Sequence, residues 1–273
     1  MDSIWAVDAW FEKSQIGDAT LELVNPRTRR DAESWLTARI ERHRIAGRKV
    51  LVGFDFAFGY PSEVAGRLFM GLKTPWSSIW SALERTVLDD ANNDNNRFAI
   101  AAALNQQLGD RWFWGGPAAR SGAWLEQTKS PTSLPELRVV DQRVNAARNR
   151  HVFSARQLFG NGSVGSQVFV GLPVCQRLRA TPSLGLSVWP FDTGLDVPGQ
   201  RTAHGGLLVE IWPGVIAEDL TLHNVRDAAQ MLSYARWAAS HDVSATLGEF
   251  FTPSVSEADR IQVCSSEGWI LGA

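Results

Sequence analysis

Val50-Leu51-Val52-Gly53-Phe54-Asp55-Phe56 is the stretch that decides how the chain is read. Apolar residues run through it without alternation until a single acid near its end. Such a run predicts a strand covered on both faces, as in parallel sheets. Ala57-Phe58-Gly59-Tyr60-Pro61 follows at once, so Asp55 falls near the strand's C-terminal end. Open α/β sheets build their sites at that end.

Upstream, residues 4–11 and 19–24 read as the two strands of a hairpin, with Gln15-Ile16-Gly17-Asp18 supplying the turn. Asn25-Pro26 ends the second strand. A helix is expected over 31–46, burying Trp35, Leu36 and Ile40 and stopped by Gly47. Downstream, Leu207-Leu208-Val209-Glu210-Ile211-Trp212 is a second apolar strand, stopped by Pro213-Gly214. A helix over 225–240 follows, with Ala228, Ala229, Leu232, Ala235 and Ala239 as its small inward stripe. Between about 60 and 200 the pattern loosens. Helices near 76–88 and 97–108 stand among glycines, prolines, asparagines and tryptophans. The expected fold is a single α/β domain over 1–273, a mixed sheet flanked by helices, with a long Trp-rich insertion at about 60–200.

The bulk numbers bound the function. At 273 residues, 44% hydrophobic and 21% charged, the chain can bury a substantial core, and wholesale disorder is excluded. A formal charge of -2 argues against a basic nucleic-acid footprint over the whole surface but leaves room for a local groove. Cys175 and Cys264 form no CxxC pair and read as reduced thiols of a cytoplasmic protein. No apolar stretch reaches the length of a membrane span. Of twelve tryptophans, five (Trp76, Trp80, Trp112, Trp114, Trp124) crowd the middle of the chain, and buried packing is a commoner outcome for them than a stacking surface.

Asp55 and Glu210 carry the chemical interest. Each is an acid inside an apolar strand, where an unpaired charge costs several kcal/mol. A salt bridge, a hydrogen-bond anchor or a metal ion would each account for one. Asp227, in the first turn of the last long helix, falls near where the Glu210 strand emerges, although a helix-start acid is also favoured by the dipole alone. Acids converging at one sheet edge repel unless they share a cation. Mg²⁺ or Mn²⁺ prefers such oxygen ligands and can clamp the attacking and leaving oxygens of a phosphoryl transfer.

The core LVGFDFAFGYP resembles the acid-bearing strand of predicted RNase H-like nucleases of the DUF429 type. VEIWP around Glu210 looks like their glutamate, aromatic, proline strand, and VRDAAQ around Asp227 is similar to their acid-bearing final helix. The chain as a whole, through LFGNGSVGSQ, VWPFDTG and EGWILG, looks like a bacterial family of uncharacterised proteins, members of which have been labelled as cobalamin or molybdopterin biosynthesis proteins. The resemblance implies an RNase H-like core and a divalent-metal-dependent, nuclease-like hydrolase. Asp55, Glu210 and Asp227 would hold Mg²⁺ or Mn²⁺, and a nucleic acid or a phosphate-containing small molecule would be the substrate. Such folds begin with three antiparallel strands and an essential aspartate on the first, whereas two strands fit here. Asp8 in Ile4-Trp5-Ala6-Val7-Asp8 is that aspartate if the hairpin is abbreviated. Otherwise the strand lies upstream or has been lost. The alternatives are a catalytically silent binding module and an accessory protein of cofactor biosynthesis.

Other motifs carry less. Gly160-Asn161-Gly162-Ser163-Val164-Gly165 fits GxGxxG, but no clear strand precedes it and no acid follows at the right distance. With Arg156 nearby, Gly162 and Ser163 are candidates for holding a substrate phosphate on backbone amides. Phe191-Asp192-Thr193-Gly194 resembles the aspartic-protease signature but has no second copy. Residues 89–96 are a polar loop without EF-hand spacing. His43, His151, His204, His223 and His241 show no metal-ligand spacing, although His204 and His223 flank the Glu210 strand. Neither a P-loop nor a nucleophile elbow is present.

Overall fold

The computed structural model describes residues 4–11, 19–69, 74–148, 152–198 and 205–273. The expected hairpin turn at Gln15-Ile16-Gly17-Asp18, His151 and His204 lie outside these residues. The described chain is mixed α/β, with a small parallel sheet flanked by helices.

β1 (Ala6–Trp10) and β2 (Thr20–Val24) form an antiparallel pair with Asp8 opposite Glu22. Thr28 caps α1 (Arg29–Ile45) by accepting from the Asp31 amide, and Gly47 turns the chain out of it at φ +70. β3 (Val50–Phe54) follows and lies parallel to β5 (Gly206–Glu210), which pairs on its other side with β4 (Leu186–Val188). The three-stranded order is therefore β3-β5-β4. β5, in the middle, is buried at every residue, whereas β3 is only half covered. The continuous apolar run at 50–56 thus belongs to a strand with an open side. Its side chains have partners above and below, but one lateral edge has no neighbour among the described residues.

The sheet separates two apolar cores. Val52 and Leu208 point into one, shared with Ile40 of α1, Trp80, Trp112 and Phe169. Leu207, Val209 and Ile211 point into the other, with Tyr234, Trp189 and Trp269. This alternation along β5 places α1 and α7 (Arg226–Val243) on opposite faces. The segment expected as a loose insertion is largely helical: α2 (Ser62–Leu68), α3 (Pro75–Thr86), α4 (Arg97–Leu108), α5 (Val139–Arg148) and α6 (Val164–Ala180). After α8 (Glu257–Gln262), Val263, Trp269, Ile270 and Leu271 close the second core. Trp76, Trp80 and Trp112 are buried, Trp114 is half-buried, and Trp124 is exposed, so the clustered tryptophans chiefly pack. No helix among the described residues is long and apolar enough to cross a membrane.

Candidate functional site

Register brings the two strand acids together. Phe54 is the partner of Glu210, and the Ile211 amide donates to the Phe54 carbonyl at 2.9 Å, so Asp55 stands one residue beyond Glu210 at the same sheet end. Gly59 then lets the chain turn under the C-terminal segment. A Cβ there would lie 1.9 Å from the Ser266 carbonyl oxygen, so only glycine fits.

The two acids meet different fates. Glu210 is buried and bound on both oxygens by Arg138, Nη2 to Oε1 at 2.7 Å and Nη1 to Oε2 at 2.7 Å, and it also accepts the Phe58 amide at 2.9 Å. Arg138 donates in addition to Asp141 and to the Glu267 carbonyl. The Glu267 carboxylate, itself buried, accepts from Ser62 and from the Val139 amide. Burial still pushes the Glu210 carboxyl upward, with Arg138 opposing it. This network ties the start of α5 to β5 and to the C-terminal residues. It is a salt-bridge solution to a buried acid, and sequence reasoning missed Arg138. The available signal was the demand itself: an acid locked inside an apolar strand needs a cation, and Arg138 precedes Val139-Val140 at the head of a helix.

Asp55 has no such partner. It lies on the wall of a large cavity of about 1880 Å³, hemmed in by protein yet open to the cavity's own space. Its carboxyl is pushed up to about 7, first by burial, then by the charges of Glu210, Asp227 and Glu218. Asp227, at the head of α7, lines the same cavity. Among the described residues neither Asp55 nor Asp227 makes an ion pair or a hydrogen bond through its side chain.

The other candidates fall elsewhere. Asp8 points toward α1, paired with His43 Nε2 at 2.9 Å and with Arg39 at 3.9 Å. Arg156 is fully buried and spent on the Trp112 and Ser130 carbonyls and on Glu136, so it cannot reach a ligand from there. Gly162 has φ +80 and its missing Cβ leaves room for the Phe153 ring, a turn role. Ser163 precedes α6 without a side-chain cap bond and lines the cavity. Asp192 is held by Arg179 and by the Val188 amide. His223 accepts the Val225 amide and packs on Trp5. No group of three His, Cys, Asp or Glu side chains among the described residues is arranged to hold a metal ion by itself.

The chain matches no protein-family model, no curated protein and no solved structure.

Proposed function

We propose that the Asp55–Asp227 end of the cavity binds one divalent cation, Mg²⁺ or Mn²⁺, and serves phosphoryl transfer on a nucleic acid or another phosphate-containing substrate, on an RNase H-like arrangement of hairpin, helix and acid-tipped parallel strand. The observation that carries the reading is the state of Asp55. It is a carboxylate at a strand's C-terminal end, on the cavity wall with Asp227, with no side-chain ion pair or hydrogen bond among the described residues and with its proton affinity raised to about 7. Mg²⁺ commonly takes one or two protein carboxylates and completes its shell with water and substrate phosphates, which suits a site of two free acids. A cation bound there would polarise a phosphoryl oxygen. Asp55 and Asp227 would hold it, and Glu210, already neutralised by Arg138, would act by fixing the sheet end on which Asp55 stands.

The second reading is a catalytically silent binding module. The engagement of Glu210 by Arg138 favours it, because it removes one of the three expected ligands.

Calorimetric titration with Mn²⁺, followed by cleavage assays on labelled single-stranded RNA, DNA and a chromogenic phosphodiester, separates the two. Saturable binding abolished by Asp55→Asn and by Asp227→Asn, with Mn²⁺-dependent cleavage, is the expected result. Wild-type protein that binds no Mn²⁺ leaves the silent module as the reading.

A further inference from the structure

The cation site drawn above takes one acid from the sheet and one from a helix. Asp55 stands just past the end of β3, and Asp227 stands at the head of α7. Two carboxylates on separate elements can share one ion only if the elements keep a fixed spacing. Apolar packing does part of this, since Ala228 and Ala229 are fully buried on the inner face of α7. Burial is non-directional, however, and small side chains resist separation better than they resist sliding.

A directional tie runs through Tyr234. Its hydroxyl donates to the Leu271 carbonyl at 2.6 Å, and the Leu271 amide donates to the Glu210 carbonyl at 2.9 Å. Ile270 forms a parallel bridge with Glu210 at the same point. On the other side of β5 the Ile211 amide reaches the Phe54 carbonyl at 2.9 Å, one residue before Asp55. Hydrogen bonds therefore lead without a gap from α7 to the sheet end that carries Asp55. Tyr234 follows Asp227 by seven residues, almost two turns, so both project from one side of the helix, about 10 Å apart along its axis. Tyr234, Asp227 and Asp55 line the same cavity. Tyr234 is buried, and burial, then the charges of Asp55 and Glu210, push its phenol upward, so the hydroxyl keeps the proton it donates.

We infer that Tyr234 is a positioning residue, which fixes α7 against the sheet end, sets the spacing of Asp227 from Asp55 and so fits the pair to a small octahedral cation. This role rests on the cation reading of Asp55 and Asp227. Tyr234 itself need not touch the ion, because its hydroxyl is spent on Leu271. Mg²⁺ demands near-ideal octahedral geometry at about 2.0–2.1 Å, whereas Ca²⁺ accepts irregular shells at about 2.3–2.6 Å. A helix released to slide should therefore cost Mg²⁺ more than Ca²⁺.

The test is calorimetric titration of the full, metal-free chain with Mg²⁺ and, separately, with Ca²⁺. Wild type is compared with Tyr234→Phe, which keeps the ring and removes only the donor. Leu172→Ala, a fully buried side chain lost from α6 in the other core, controls for a general loss of stability. All titrations are run below the melting temperature of each variant. Tyr234→Phe is expected to weaken Mg²⁺ binding by about tenfold or more and Ca²⁺ binding by less than about threefold, while Leu172→Ala leaves both within about threefold of wild type. Unchanged Mg²⁺ affinity in Tyr234→Phe, or parallel weakening of both cations, overturns the positioning role and leaves the cation site standing. So does a matching loss in Leu172→Ala, because affinity would then follow stability and not spacing. Wild-type protein that binds neither cation overturns the site and the positioning role together.

Discussion

Arg138→Met is the perturbation whose cost is best defined. All five guanidinium N–H groups are used: two on Glu210, two on Asp141 and one on the Glu267 carbonyl. The side chains of Arg138, Glu210 and Asp141 are 3%, 3% and 5% exposed, so water cannot replace the lost partner. Removing one member of a buried ion pair costs roughly 3–5 kcal/mol. That is a large share of the roughly 5–15 kcal/mol by which domains are stable. At roughly 2–4 °C per kcal/mol for a chain of this size, the melting temperature should fall by about 6–20 °C. The deficit should be larger at pH 8 than at pH 5, because the stranded carboxyls can take up protons at the lower pH. Arg138→Met combined with Glu210→Gln should recover part of the loss, since it removes one stranded charge. Urea denaturation at both pH values measures all of this. A loss below about 1 kcal/mol at pH 8, the range of exposed pairs such as Arg67–Glu63, would refute the reasoning.

Other outcomes follow from the same physics. Asp55 holds its proton more tightly folded (about 7) than unfolded (3.8), so its contribution to stability is present at low pH and is lost as pH rises through 7. Asp55→Asn should therefore raise the melting temperature most at pH 8 without divalent ions, less at pH 5, and leave it nearly unchanged only below the unfolded value of 3.8. Gly59→Ala, whose methyl would sit 1.9 Å from the Ser266 carbonyl oxygen, should cost about 1–3 kcal/mol by chemical denaturation. Leu172→Ala, fully buried on α6, should cost roughly 2–5 kcal/mol in the same assay.

The elements with strong periodicity were legible. The hairpin strands, α1, β3, β5 and α7 stand within a few residues of where pattern and punctuation put them, because each carries its own apolar stripe and its own stop. α6 was not legible. It lies in the stretch whose pattern loosens, and Gly165, Gly171 and Pro173 are poor helix formers, yet a Cβ on Gly171 would lie 2.4 Å from the Phe56 ring, so the helix passes close over the strand end. Tertiary contact overrides local propensity there. Asp55 was legible as an acid at a strand end, because register and strand direction are local. The fate of Glu210 was not, because Arg138 approaches from 72 residues away and sequence spacing says nothing of that contact. Arg156 was misplaced for a like reason: a guanidinium near a glycine loop looks available until its carbonyl partners are seen.

The most direct test of the central claim is to follow the Asp55 carboxyl carbon by ¹³C NMR through a pH titration, first without and then with saturating Mg²⁺. The account predicts a midpoint of about 7 in the metal-free protein, falling well below that when Mg²⁺ is added, because the cation favours the ionised form. A midpoint near 3.8 without metal, or one that Mg²⁺ does not move, would contradict it.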